Sequence, residues 1–536
     1  MIVVGDTNDS RLPPNLRSTY GRHMAVTDLP APRWVKLLDQ SRCIGCHACT
    51  TACKSENEVP VGVTRTYVKS VDAGTFPDVR RAFQVTRCNQ CEDAPCVSAC
   101  PTAAMYKRDD GIVDFDKSVC IGCKACMAAC PYDAIFINPE DHSAEKCNMC
   151  AHRLDVGLEP ACVTVCPVEA IIVGDLNDPD SQVARVIGRE PVQVRRPEKE
   201  TRPGVFYKGA HQATLDPLAA RRPEGGLLAW ATQGAAGPQS VNSGHPGRPA
   251  SSAAALLSYD VPHTAPWGWR VSLYTWTKSI AAGGFAVPVL LALTGVLRWS
   301  NPAVRWAAPA FALAFLAVTG VLLIIDLKHP ARFYLIFTRH QWRSWLVRGS
   351  LIIGGYGAAA TGYLLLALAG NAAGFLTARQ AFAWAGLPLA LGTAIYTAWL
   401  FGQAKARDLW QSPLLAPHLA VQAALAGTAA TLPVLSWLAP AHAVSAGEMA
   451  LALAAGLDLL LVAAEITMPH VTAHAHLATR NMTRGQFAWF FWPGLVGVAV
   501  AVAAPWIGVA AVPFALAGLL SQEHAYVQAG QSVPLA

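Results

Sequence analysis

Residues 120–131 read CIGCKACMAACP, and the same run opens at residue 43 as CIGCHACTTACK. Two looser versions accompany them, CNQCEDAPCVSACP over 88–101 and CNMCAHRLDVGLEPACVTVCP over 147–167. These four groups hold all sixteen cysteines of the 536-residue chain: Cys43, Cys46, Cys49, Cys53; Cys88, Cys91, Cys96, Cys100; Cys120, Cys123, Cys126, Cys130; and Cys147, Cys150, Cys162, Cys166. The last three groups end in Cys-Pro, and the first has Lys54 in that place. In a C-x2-C-x2-C-x3-C-P run the short loop wraps three corners of one four-iron cube, and the fourth thiolate reaches across to another. The proline then turns the chain away. Zinc favours isolated C-x2-C pairs, often mixed with histidine, and does not call for a repeated x3-C-P ending. Disulfides would suit an exported domain, but the first thirty residues hold no apolar run of signal-peptide length. Iron-sulfur ligation is therefore the expectation for all sixteen thiols.

Outward from this block the chain divides by composition. Residues 1–34 form a polar, proline-containing tail, and 35–195 the cysteine domain, an α+β ferredoxin-like unit made of two dicluster modules. Short apolar stretches such as Ile112-Val113 and Ala134 to Ile137 read as hairpin strands between cluster loops. So loop-rich a domain has a modest apolar core and is expected to depend on its metal to fold. Residues 196–262, with RRPEKETRPG and SGHPGRPASSAAA, read as a Pro/Gly-rich linker. Residues 263–536 read as a membrane domain. Overall 53% of residues are hydrophobic and only 15% charged, and mean hydropathy is +0.30, high for a soluble protein. Apolar runs of spanning length over 274–296, 303–327, 346–369, 381–402, 413–438, 447–468, 488–503 and 506–525 predict an all-α bundle of eight transmembrane helices.

Basic residues between the spans set the orientation. Ten lie on the side of the amino terminus: Arg270, Lys328, Arg332, Arg339, Arg343, Arg348, Lys405, Arg407, Arg480 and Arg484. Only Arg298, Arg305 and Arg379 lie opposite. The positive-inside rule places the cysteine domain and both termini in the cytoplasm, with the helices in a bacterial inner membrane. A formal charge of +6 is too diffuse to imply nucleic acid; a lipid membrane is the partner it fits.

CIGCHACTTACKSENEVPVG and KCNMCAHRLDVGLEPACVTVCP resemble the four-cluster electron-transfer subunit of the membrane-anchored molybdopterin oxidoreductases, the group with dimethyl sulfoxide, polysulfide and tetrathionate reductases. GVLLIIDLKHPARFYLIFTRHQWRSWLVRG, FGQAKARDLWQSPLLAPHLA and the terminal AYVQAGQ are similar to the polysulfide-reductase-type, NrfD-like membrane subunit, so the chain resembles a fusion of the two. The resemblance implies that the groups pair one with four and two with three. The clusters would then be Cys43, Cys46, Cys49 with Cys166; Cys147, Cys150, Cys162 with Cys53; Cys88, Cys91, Cys96 with Cys130; and Cys120, Cys123, Cys126 with Cys100. With no group short of a cysteine, four 4Fe-4S clusters are expected. The resemblance further implies a quinone (menaquinone or ubiquinone), no haem, and a catalytic molybdenum or tungsten bis-pterin partner. Cytoplasmic placement favours a partner of formate or sulfite type; a hydrogenase is the alternative.

No nucleotide-binding glycine loop or flavin motif is visible, so substrate chemistry is expected on the partner. A quinone head needs hydrogen-bond donors, a proton carrier and an apolar slot. Asp326, Tyr274, Lys278 and His329 are the residues expected to supply them, because the start of the first span and the end of the second lie on the cluster side. Asp458 and Glu465, seven apart on one helix face, are a candidate proton path, which an energy-converting, proton-translocating module would use. Without a proton role they would tie helices together. His470 and His474 are expected at the interface.

Overall fold

The computed structural model describes residues 31–75, 77–221, 255–370 and 372–536. The WVKLLD run forms β1 (Trp34–Asp39), with Val35, Leu37 and Leu38 buried. β2 (Thr66–Thr75) and β3 (Asp78–Arg87) make a long antiparallel hairpin. Two short hairpins follow between the cysteine groups, β4 (Met105–Lys107) with β5 (Val113–Phe115), and β6 (Ile135–Ile137) with β7 (Ala144–Lys146). β8 (Ile171–Asp175) pairs antiparallel with β1. β9 (Val192–Gln193) pairs antiparallel with β10 (Val205–Lys208), and β10 runs parallel to β1 on its other side. A parallel neighbour needs a long crossover; here that crossover contains the whole cysteine block.

β10 lies beyond the boundary expected at 195, yet it pairs with β1. Val205 and Tyr207 are fully buried, so the cluster domain runs on into the stretch read as linker. Four alternating residues set among Arg and Pro carry too little periodicity to be read as a strand. The far end of that stretch is ordered too: β11 (Ala255–Tyr259) adds to the edge of β2. The remainder of the expected linker, 222–254, and the tail to residue 30 lie outside the described residues.

Among the described residues the membrane domain packs nine main helices beside the one-turn helix Leu335–Thr338: α1 (Trp269–Leu293), α2 (Ala303–Asp326), α3 (Trp345–Ala369), α4 (Ala373–Gly402), α5 (Leu415–Leu438), α6 (Ala441–Thr467), the short α7 (Ala473–Thr483) and α8 (Ala488–Ala501), and α9 (Ala504–Gly530). Seven are long and apolar enough to cross a membrane. Of the eight spans expected, the seventh, α8, falls short: 14 residues reach about 21 Å at 1.5 Å each, against about 30 Å of hydrocarbon. The break lies where expected, because Pro505 and the left-handed Gly508 interrupt the apolar run, but it leaves the first half shorter than the run suggested. Trp437 and Trp506 at one end of the bundle, and Trp269 and Trp489 at the other, are exposed in the manner of interfacial belts.

α1 and α5 are the central helices, 67% and 61% buried along their apolar windows, against 28% for α2, α3, α6 and α9. They touch through glycine. A Cβ on Gly427 would stand 2.1 Å from the Gly283 carbonyl carbon, and one on Gly283 1.9 Å from the Ala423 oxygen. Small residues let helix backbones approach where no hydrophobic force separates lipid from protein. We expect Gly427→Ala to destabilise the bundle by about 3 kcal/mol, read as a lowered unfolding temperature in detergent; an unchanged temperature would mean the backbones separate freely.

Candidate functional site

The cysteine loops are shaped by left-handed residues. Gly45 (φ 71°) and His47 (φ 61°) punctuate the first, Gly122 (φ 67°) and Lys124 (φ 64°) the third. Alternating hand turns successive amides inward, making a concavity suited to an anionic centre. Backbone N–H groups point at the sulfurs: Met105 N donates to Cys100 Sγ (3.4 Å), Ala144 N to Cys120 Sγ (3.5 Å) and Ala170 N to Cys166 Sγ (3.3 Å).

Thiols of different groups are electrostatic neighbours, and each of the four quartets expected from the sequence is represented among them. Cys43 and Cys49 have Cys166 as a neighbour, and Cys43 also Cys46. Cys53 lies by Cys147, Cys150 and Cys162. Cys91 and Cys96 lie by Cys88 and Cys130, and Cys123 and Cys126 by Cys100 and Cys120. None is in a disulfide. Among the described residues no three His, Cys, Asp or Glu side chains converge tightly enough for a single metal ion.

The quartets form a line. Cys49 neighbours Cys162, Cys88 neighbours Cys147, and Cys126 neighbours Cys96. The Cys43 quartet is the open end, with Cys46 exposed and Cys43 and Cys166 half-buried. Burial pushes most thiols up, Cys49 to about 11 and Cys53 to about 12. Cys162 departs from this: burial opposes ionisation, but Lys36 Nζ at 3.6 Å and Arg87 Nη1 at 3.2 Å bring it down to about 7. Arg87 Nε and Nη2 are buried without a partner, donors that the sulfides of a cluster would meet.

The Cys120 quartet is docked on the membrane domain. Lys328 N and His329 N donate to the Gly122 and Ile121 carbonyls (3.3 and 3.2 Å), Arg332 Nη1 to Cys120 O (3.0 Å), Gln341 Nε2 to Cys100 O (2.7 Å) and Trp267 Nε1 to Cys123 O (3.2 Å). Lys124, between Cys123 and Cys126, reaches across so that its Nζ lies 2.9 and 3.1 Å from the two Asp326 carboxylate oxygens. This ion pair lines an open groove of about 710 Å³ shared with Met127, His263, Trp269, Arg270 and Lys328.

The expected quinone-site residues are spread by the fold. Asp326 lines the groove. Tyr274 is buried behind it, within electrostatic reach of Asp326. Lys278 lies deeper, fully buried, donating to the carbonyls of Thr393 (3.5 Å) and Ala394 (2.5 Å) on α4. His329 turns to the cluster domain, with Nε2 3.2 Å from Ser143 Oγ. Asp458 and Glu465 share one partner, His418: its Nε2 is 3.0 Å from Asp458 Oδ1 and its Nδ1 3.2 Å from Glu465 Oε1. Sequence reading missed Lys124, which looks like a solvated loop charge, and His418 and Glu523, which the rule that membrane ionisable groups are suspect would have found.

Two interface histidines give the docking a pH dependence. Burial pulls His263 down, but hydrogen bonds to Asp133 and Asp260 outweigh it and raise it to about 9. His474, 3.2 Å from Arg196 Nη1, is lowered to about 4 by burial and that guanidinium. The raised group stabilises fully below the unfolded value near 6.5, and its contribution disappears as pH rises to about 9; the depressed group costs stability as pH falls from 6.5 to about 4. We expect thermal stability to peak near pH 6.5. His474→Gln should flatten the acid limb and His263→Gln the alkaline one; unchanged limbs would contradict the assignment.

Comparison with known proteins agrees in parts. The family profile "4Fe-4S dicluster domain" matches residues 79–176, "4Fe-4S binding domain" residues 34–55, and "Polysulphide reductase, NrfD" residues 259–522. A tetrathionate reductase subunit of Salmonella typhimurium is 44% identical over 196 residues, 36% of this chain and 78% of that protein. A polysulfide reductase chain of Wolinella succinogenes is 42% identical over 179 residues, 33% of this chain and 94% of that protein. The thiosulfate reductase electron transfer subunit of Salmonella typhi is 47% identical over 163 residues, 30% of this chain and 84% of that protein. Each of these relatives is matched over about a third of this chain, and the NrfD profile covers residues 259–522.

Proposed function

Because this protein belongs to the 4Fe-4S electron-transfer subunits of the polysulfide and tetrathionate reductase type, joined here to an NrfD membrane domain, we propose that it carries electrons between a catalytic partner and the membrane quinone pool. It is a multi-pass membrane protein that binds iron-sulfur clusters. The reading beyond that is four 4Fe-4S clusters in the line of quartets, with the partner at the exposed Cys43 end and a quinone in the groove at the Cys120 end. The observation that carries it is the Lys124–Asp326 pair, which joins a cluster loop to a groove wall.

A quinol in the groove releases two electrons and two protons, and a quinone takes up the same. Clusters held by the sixteen cysteines would supply or accept the electrons one at a time. Asp326 accepts or returns a proton at the head group, Lys124 and Lys328 offer donors to its oxygens, and Met127 and Trp269 flank its ring. A groove of this size suits a head group with part of its tail. Tyr274, Lys278 and His329 are assigned supporting places: Tyr274 behind Asp326, Lys278 deeper, His329 bracing the dock.

The partner is read as a molybdenum or tungsten pterin enzyme of formate or sulfite type, supported by relatives whose names mark them as one part of a larger reductase. The excess of basic residues on the cluster side supports a cytoplasmic position at a bacterial inner membrane. α8 and the turn into α9 are read as completing an eighth crossing, which would return the carboxyl terminus to the cluster side.

Photolabelling with an azidoquinone tests the site. Label on peptides spanning 263–276 or 324–328, competed by excess quinone, is the expected result; competed label elsewhere would overturn it.

A further inference from the structure

Deeper than the groove, further ionisable groups are buried between α1, α5, α6 and α9. There His418 bridges Asp458 and Glu465, and Gln422 Nε2 lies 3.2 Å from His418 Nε2. Thr275 Oγ1 donates to Glu523 Oε2 at 2.9 Å, and Lys278 and His418 are both within electrostatic reach of Glu523. Asp458, His418, Gln422, Gln522 and Glu523 are all at most 5% exposed. Thr275, His418, Gln422, Glu465, Gln522 and Glu523 line a common cavity of about 30 Å³, room for roughly one water. Asp458 Oδ2, Glu523 Oε1 and both amide atoms of Gln522 have no partner. Phe401, Met482 and Phe491 close it from α4, α7 and α8, and Tyr526 completes the α9 wall.

Counting charges decides what such a cluster holds. Ionised, it has three carboxylates, Asp458, Glu465 and Glu523, against two cations, His418 and Lys278; His470, just beyond the end of α6 and within electrostatic reach of Glu465, counts as neutral because burial and the neighbouring His476 hold it below the usual histidine range. The surplus is one negative charge inside a membrane bundle, where an uncompensated charge is heavily penalised. One bound proton cancels it. A purely structural tie between helices would need no third carboxylate and would leave no polar atoms facing a cavity unpartnered.

We propose that this cluster is a proton store: it holds one exchangeable proton, filled from the cluster face past Glu465 and passed to or from the groove by way of Glu523 and Tyr274. Glu465 sits in the last turn of α6, with its side chain 9% exposed. Tyr274 lies within electrostatic reach of both Glu523 and Asp326. The transfer half rests on the quinone reading. Of the two protons taken up with two electrons when a quinone is reduced, the store supplies one, returns to its negative state and refills; quinol oxidation runs the exchange backwards.

The test is pH-difference infrared spectroscopy on the full-length, cluster-loaded protein in nanodiscs without quinone. Wild type should show one deuterium-sensitive protonated-carboxyl band. Glu523→Gln and Asp458→Asn each balance the charges and should abolish it. His418→Gln and Lys278→Met each deepen the imbalance and should roughly double it, an opposite sign that misfolding does not mimic; unchanged cluster signals verify folding. Asp326→Asn should keep the band. A wild type without the band, a band indifferent to the four cluster substitutions, or its loss in Asp326→Asn would overturn the proposal. If Asp326→Asn keeps both the band and quinol activity, the quinone reading fails and the store stands.

Discussion

Asp326→Asn is expected to lower quinol-linked reduction of the clusters by about a hundredfold or more, the low end of what a positioned acid-base group contributes. The carboxylate lies against Lys124 Nζ at 2.9 Å, at the one edge of the groove that is also a cluster loop. The amide keeps size and shape but neither charge nor proton affinity, so the groove should still bind quinone. Reduction by a soluble low-potential donor should be unchanged, because that route needs no proton carrier. Lys124→Met should behave alike, with a larger loss of quinone affinity. Wild-type quinol activity in both variants would remove Asp326 from the reaction.

The second large effect is expected at Gly122. Its φ of 67° already disfavours any side chain, by about 1–2 kcal/mol. A Cβ there would stand 2.4 Å from Lys328 Cβ and 3.0 Å from Lys328 N, so Gly122→Ala must push the cluster loop off the membrane domain. Gly45→Ala is the control: its φ is 71°, but the added carbon meets the Phe83 ring within the cluster domain. Both variants should assemble clusters. Only Gly122→Ala should uncouple them from quinol, by tenfold or more, with loss of the Lys124–Asp326 contact. Equal behaviour of the two would mean that the docking does not govern transfer.

How much of this was legible before folding depends on how local each signal is. The cluster loops were, because the spacing of Cys120, Cys123 and Cys126 is itself the geometry that wraps a cube. The hairpins at Val113 and Ile135 were, because short apolar stretches between cysteine loops mark strands. β10 was not: its burial comes from β1, some 170 residues earlier, and a four-residue strand leaves no pattern of its own. The seventh span is shorter than its apolar run suggested for a related reason. An apolar run reports the total length of hydrocarbon-compatible sequence, whereas Pro505 and Gly508 decide how it is divided. Asp458 and Glu465 were found by their seven-residue spacing, but His418 on another helix carries no spacing relative to them. Lys124 was hidden because a lysine in a loop is normally solvated, and only the docked helix end at Asp326 gives it a partner.

The central claim is that electrons pass between a quinone at the Asp326 groove and the line of clusters beginning at the Cys120 quartet. Rapid mixing of the oxidised, cluster-loaded protein in nanodiscs with a quinol, freeze-quenched and followed by electron paramagnetic resonance, tests it most directly. Quinol should reduce the clusters, Asp326→Asn should slow that reduction by about a hundredfold, and a groove-directed inhibitor should block it. Clusters that stay oxidised under excess quinol, while a soluble donor of the same potential reduces them, would contradict it.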